Sequence, residues 1–138
     1  MTHPCPHCQH DRFSITVPDR LRSFVSAAAL ACCPQCLVCD PGGESWPDPA
    51  ANAADPPFER IIRQFPTGDG GIALLLLLQQ LDSLALNRST IESLVEILDA
   101  DGVDWFLTLD RLVEDPSVDP SFDLARRRDQ LEQLLDWA

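Results

Sequence analysis

Six cysteines are the residues of this sequence whose type and spacing point to chemistry. Four of them form two copies of one pattern, C-P-x-C: Cys5-Pro6-His7-Cys8 and Cys33-Pro34-Gln35-Cys36, with 24 residues between the pairs. In a C-x-x-C turn the two sulfurs converge on one cation. Two such turns on adjacent hairpins complete a tetrahedral four-thiolate shell, the closed geometry of structural zinc. The proline inside each turn pre-sets the local backbone angle. The spacing therefore predicts zinc held by Cys5, Cys8, Cys33 and Cys36, although a four-thiolate shell also accepts iron.

Two further cysteines leave alternatives open. Cys36-Leu37-Val38-Cys39 is itself a C-x-x-C, so Cys39 in place of Cys33 is the second ligand set, and Cys32 in that place is a further candidate. Cys33 is preferred because it repeats the proline turn of the first pair. Cys32 reads as a small buried hydrophobe on a strand. His7 and His10 each offer a ring nitrogen, but His7 sits between two better-placed thiols and reads as a solvent-facing turn residue. Cys5-Pro6-His7-Cys8 also has the four letters of the active turn of oxidising thioredoxin-like proteins. That turn follows a strand and opens a helix, and only four residues of this sequence precede Cys5. A disulfide framework belongs to oxidising compartments, whereas the opening residues lack the basic start and apolar run of a secretory leader. The expectation is a metal in a reducing cytoplasm.

The elements that must position these cysteines are short. Residues 13–17 alternate apolar and polar with β-branched side chains, which predicts a strand ended by Pro18, and residues 27–32 supply the returning strand. A zinc ribbon over residues 1–40 is the result. It is too small to bury a core of its own, so metal binding would supply the deficit as folding energy. Residues 41–57 carry Pro41, Pro47, Pro49, Pro56 and Pro57 with Gly42-Gly43 and read as a Pro-rich linker, with Trp46 as a local anchor.

From residue 58 the pattern turns helical. Phe58, Ile61, Ile62 and Phe65 have the spacing of a short amphipathic helix ended by Pro66 and the glycines that follow. Residues 72–87, opening Ile-Ala-Leu-Leu-Leu-Leu-Leu, predict a central helix surrounded by protein. That run is too short to cross a bilayer, which needs about 20 apolar residues. Ser89-Thr90-Ile91-Glu92 reads as a capping box ahead of the stripe Ile91, Leu94, Val95, Leu98, with Gly102 as terminator. A further helix over 104–114 is expected to bury Phe106, Leu109 and Val113. The last, with Pro120 in its first turn, runs through Arg126-Arg127-Arg128 to Trp137. Those arginines are expected to pair with Asp123, Asp129 and Glu132 on the same helix.

Composition limits the functions available. The chain has 22 acidic residues, 16 of them Asp, against 10 Arg and no Lys, for a net charge of -12. A Lys-free, Asp-rich surface suits molar salt, where the Debye length is about 3 Å and crowded carboxylates repel little. The ribbon is balanced, with Arg12, Arg20 and Arg22 against Asp11, Asp19 and Asp40, and four thiolates on a divalent ion would add -2. Nucleic-acid binding, if any, would fall to those three arginines. No phosphate-binding glycine loop and no nucleophile with a base at motif spacing appears, and no histidine lies beyond His10. A protein without enzymatic activity is expected.

The strings Leu84-Ala85-Leu86-Asn87-Arg88, Gly102-Val103-Asp104, Leu109-Asp110-Arg111-Leu112 and Phe122-Asp123-Leu124-Ala125-Arg126-Arg127-Arg128 resemble an uncharacterised haloarchaeal family. With the leading C-P-x-C, the chain is similar to small CPxCG-related zinc-finger proteins. Gln9 and Leu37 stand where that pattern places a glycine after each turn. The resemblance covers nearly the whole chain and implies a cytoplasmic zinc-binding protein of a halophile, with no activity attached. The expected fold is α+β: an N-terminal zinc ribbon (1–40), a linker (41–57) and four to five helices (58–138). The expected function is a zinc-binding interaction or regulatory adaptor with a protein partner. Nucleic-acid binding in transcription or translation and thiol redox chemistry are the alternatives.

Overall fold

A computed structural model describes residues 4–25, 28–41, 58–120 and 122–136; Trp46, most of the proline-rich stretch and Trp137 lie outside them. The architecture is the expected α+β. Three short strands, β1 (Phe13–Thr16), β2 (Ala29–Cys32) and β3 (Cys39–Pro41), form an antiparallel sheet in the order β1-β2-β3. Four helices follow: α1 (Gly68–Gln80), α2 (Arg88–Ala100), α3 (Trp105–Glu114) and α4 (Leu124–Asp136). In β1 the period-2 alternation sends Phe13 and Ile15 inward and Thr16 out. Its partner β2 is buried along most of its length. Phe13 faces Cys32 and Thr16 faces Ala29 across β1 and β2, while Cys32 faces Cys39 across β2 and β3.

Sheet and helices share one core. Phe13, Ile15, Val17, Leu21, Leu30 and Leu37 from the N-terminal part lie in the same buried cluster as Phe58, the α1 leucines and Ile91, Leu94 and Leu98 of α2. Phe58 joins the two sets: its ring meets Phe13 edge-on at 6.2 Å and stacks on Phe65 at 5.5 Å. Every residue of α1 from Gly70 to Leu78 is buried, the behaviour of a helix apolar all round. No helix among the described residues is long and apolar enough to cross a membrane.

Several local expectations are corrected. Residues 58–65 form only one 3-10 turn (Phe58–Arg60) followed by turns, not an α-helix. All four apolar residues are nonetheless buried: burial satisfies the pattern, and Pro66 leaves too short a segment to pay for helix nucleation. The central helix begins earlier and ends sooner than residues 72–87, because the glycines read as a terminator are its first turn. A Cβ at Gly71 would lie 2.3 Å from the Pro66 carbonyl oxygen and 2.9 Å from the Phe58 ring, so only glycine lets α1 start there.

The capping box does not form. Helix α2 is capped at Asn87 without a side-chain hydrogen bond, and Glu92 instead takes an ion pair from Arg88, Nε to Oε1 2.9 Å. At the other end Gly102 does terminate the helix, at φ +74°, with Val103 N–H donating to the Leu98 carbonyl at 2.9 Å; this is the Schellman closure. Helix α3 buries Thr108, Leu109 and Leu112, while Val113 is exposed and Phe106 half-buried. Its N-cap is Asp104, whose carboxylate accepts from Leu107 N–H at 3.1 Å. Helix α4 starts at Leu124 rather than at Pro120, with Asp123 accepting from Arg126 N–H at 3.1 Å. Arg128 does pair with Asp129 on its own helix, at 2.9 Å, but Arg127 and Arg128 also reach neighbouring elements. Arg127 approaches Asp82 at 3.6 Å, and Arg128 pairs with Asp110 of α3 and lies over the Phe106 ring.

Candidate metal centre

The two C-P-x-C turns fold alike. In the first, Cys5 N–H donates to the His10 carbonyl and Gln9 N–H to the Cys5 carbonyl, both at 2.8 Å. In the second, Cys33 N–H donates to Val38 and Leu37 N–H to Cys33, both at 3.1 Å. Backbone N–H groups also point at sulfur: His7 to Cys5 Sγ and Cys36 to Cys33 Sγ, each at 3.4 Å. The residue that closes each turn is left-handed, and Gln9 and Leu37 both have φ 65°. Those are the two positions where the related pattern carries glycine. The turn geometry is kept without it, against the steric preference of residues that bear a Cβ.

The turns sit on two hairpins. An isolated bridge between Pro4 and Asp11 closes the first, and β2 with β3 forms the second. Their tips bring four sulfurs together. Cys5, Cys8, Cys33 and Cys36 place their Sγ atoms within 4.8 Å of one another, with Cys5 to Cys36 at 3.6 Å and Cys8 to Cys33 at 3.2 Å. Four sulfurs about 2.3 Å from a common centre would stand roughly 3.8 Å apart in a tetrahedron, so the set has the size of a four-thiolate site. Cys5, Cys33 and Cys36 are buried in a small cluster of their own, with Cys8 and Val38 packed against it. This cluster can hold a metal ion. Its donor set is one commonly taken by zinc.

Without a cation the thiols differ. Burial pushes the Cys36 thiol far up, and the neighbouring Cys33 and Cys5 sulfurs add to this against the opposing Val38 N–H. Burial also raises Cys8, with help from Cys33 and Cys5 and against the His10 N–H. Cys5 goes the other way: burial is opposed and outweighed by the N–H groups of His7 and Cys8 and by the Cys36 and Cys8 thiols, so its value falls. A divalent cation bound among these crowded, mostly buried thiols would displace their protons.

The remaining candidates fall outside the cluster. Cys39, the alternative ligand, is joined in a disulfide to Cys32 across β2 and β3. That bond corrects the reading of Cys32 as a plain buried hydrophobe. His7 is exposed, and so is His10, whose Nδ1 lies 3.2 Å from the Cys8 carbonyl. Arg12 pairs with Asp40 at 3.7 Å; Arg20 bonds Asp69 at 3.1 Å and pairs with Asp101; Arg22 donates to the Val17 carbonyl at 2.9 Å. Arg12 and Arg20 thus meet carboxylates within the protein, while Arg22 meets a neutral carbonyl and keeps its charge at an exposed position.

Sequence reasoning missed the residues that brace the second turn. Gln79, on α1, accepts from Cys39 N–H at 3.1 Å through Oε1, and donates through Nε2 to the Leu37 carbonyl at 2.7 Å and the Leu75 carbonyl at 3.1 Å. From the loop before α4, Asp119 N–H donates to the Gln35 carbonyl at 2.8 Å. The only available signal for Gln79 is a polar residue directly after the leucine run, and that says nothing of its partner 40 residues away in sequence. The first turn is more exposed and is held from outside by Arg60, which donates to the Asp11 carbonyl at 2.9 Å.

Residues 4–135 match the model of a family of unknown function, DUF6276, and the chain belongs to that family. Comparison with curated proteins and with solved structures finds no match.

Proposed function

We propose that this member of DUF6276 is a zinc-binding protein without enzymatic activity, in which Cys5, Cys8, Cys33 and Cys36 hold the ion and the assembled chain docks another protein in an adaptor or regulatory role. The observation that carries the reading is the closed four-sulfur cluster, buried on three of its four members. A catalytic zinc needs three protein ligands and an open position, whereas four thiolates leave none. The ion would fasten the first hairpin to the second, and the second is tied through Gln79 and Asp119 to the helices. Metal binding would then hold a ribbon surface in fixed register with a helical one.

The pairing of Arg12 and Arg20 with carboxylates, on a chain of net charge -12, supports a protein partner over nucleic acid. The Lys-free, Asp-rich composition supports a setting in molar salt. A pull-down with tagged, zinc-loaded protein in high-salt lysate tests the reading. A stoichiometric protein partner that is lost when Cys5 is replaced by serine supports it. Recovery of RNA or DNA in its place, with binding weakened by Arg12→Ala and Arg22→Ala, would overturn it.

A further inference from the structure

Cys32 and Cys39 carry a chemistry that the metal centre does not use. They oppose each other on β2 and β3 with Cα atoms 4.2 Å apart and their sulfurs joined. Opposed residues about 4.5 Å apart form the non-hydrogen-bonded pairs of an antiparallel ladder, whose side chains are close and whose backbone N–H groups point away from the partner strand. Cys39 N–H accordingly turns outward to Gln79 Oε1. The pairing is therefore imposed by the register of the hairpin, and the turn of that hairpin is Cys33-Pro34-Gln35-Cys36. Whatever fixes that turn also keeps the two sulfurs in bonding position, whether or not the bond is made.

Access is lopsided. Cys32 is fully buried, while Cys39 is half-buried at the edge of the core. The other four cysteines face one another in a separate cluster. A reagent from solvent thus meets one sulfur of the pair first, and the only cysteine sulfur bonded to it is that of Cys32.

We propose that Cys32 and Cys39 form a reversible dithiol–disulfide site, opened and closed by exchange with low-molecular-weight thiols and disulfides, while Cys5, Cys8, Cys33 and Cys36 stay on the metal. In the closing direction Cys39 sulfur attacks a disulfide RSSR; a Cys39–SR bond forms, the RS–SR bond breaks, and the first RSH leaves with the Cys39 proton. Cys32 sulfur then attacks Cys39 sulfur, forming the Cys32–Cys39 bond and releasing the second RSH with the Cys32 proton. Two protein thiols are oxidised and RSSR is reduced to two RSH; two RSH reverse the sequence. Strand β3 is three residues long, so the bond decides whether this edge strand is tied covalently to the sheet or held by its ladder, Gln79 and the Arg12–Asp40 pair.

The test equilibrates the full-length, zinc-loaded chain in glutathione buffers of graded redox ratio, quenches with acid, alkylates, and maps the cysteines by mass spectrometry, with metal content measured on the same samples. The expected result is one two-electron step confined to Cys32 and Cys39. An approximately eighty-fold change in the ratio of squared reduced to oxidised glutathione should carry it from one-tenth to nine-tenths oxidised. Metal content should stay constant throughout, and Cys39→Ser should abolish the step and keep its metal. The proposal is overturned if the pair stays joined in excess thiol, if it never joins in excess disulfide, or if the step maps to the four clustered cysteines. A chain that lacks metal but shows the step would overturn the zinc reading and leave this one standing.

Discussion

Replacing Gln79 by leucine keeps the helix propensity and bulk of the side chain and removes both ends of the brace between α1 and the second cysteine turn. Two backbone groups lose their partner: Cys39 N–H, which gives to Oε1, and the Leu37 carbonyl, which takes from Nε2. A buried polar group left unpaired costs about 1–3 kcal/mol. Both bonds are only partly buried, so water recovers part of the loss, and we expect about 2–3 kcal/mol for the pair, at the low end of that range. Leu37 is also the left-handed residue that closes the turn, so loosening it should weaken the metal site by about 10- to 100-fold, as loss of an outer-sphere partner usually does. Urea denaturation of the zinc-loaded protein reads the first quantity and chelator competition the second. Gln80→Leu, one residue along the same helix, is the control and should change stability by less than about 0.5 kcal/mol. If Gln79→Leu matches the wild type in both assays, the brace contributes nothing and the coupling of helix to metal site is wrong.

Three further outcomes follow from the same geometry. Gln9 and Leu37 share φ 65°, but Gln9 is exposed and Leu37 is 1% exposed. Gln9→Gly should therefore stabilise the zinc-loaded chain by about 0.5–1 kcal/mol, whereas Leu37→Gly should destabilise it by about 2–4 kcal/mol through the lost side chain; thermal melts distinguish the signs. Gly71→Ala should cost at least about 3 kcal/mol, because its methyl would meet the Pro66 carbonyl and the Phe58 ring in a packed interior that cannot yield, and a urea midpoint reads this. Finally, burial raises the Cys36 and Cys8 thiols, so both carry protons at neutral pH in the metal-free chain. Metal binding needs them as thiolates; protons therefore compete with the cation, and affinity should fall as pH is lowered. Calorimetry in buffers of different ionisation enthalpy should record proton release on zinc addition, and affinity independent of pH would contradict the assignment.

What the sequence disclosed, and what it hid, divides by the range of the interaction. The paired C-P-x-C turns are local objects, and their spacing alone anticipated the approach of four sulfurs. The α2 stripe and its stop at Gly102 were equally local. Where a tertiary contact outweighs a local preference, reading from sequence failed. Phe58, Ile61, Ile62 and Phe65 have a helical period but are buried through turns, because the period records which residues face the core and not how the backbone carries them. Gly70 and Gly71 looked like a helix stop and are instead a close approach to Val103, Pro66 and Phe58. The arginines of α4 had carboxylates on their own helix, and Arg128 does take Asp129, yet Arg127 and Arg128 also bind Asp82 and Asp110 on neighbouring elements. Gln79 and the Cys32–Cys39 pair were not legible because both depend on the register of β3, three residues whose pairing has no signature of its own.

The most direct test of the account is metal content by elemental analysis of the wild type, Cys33→Ser and Cys39→Ser, each purified in molar salt. The account predicts one zinc per chain in the wild type and in Cys39→Ser, and its loss in Cys33→Ser. A wild type without metal, or equal loss in both variants, would contradict it.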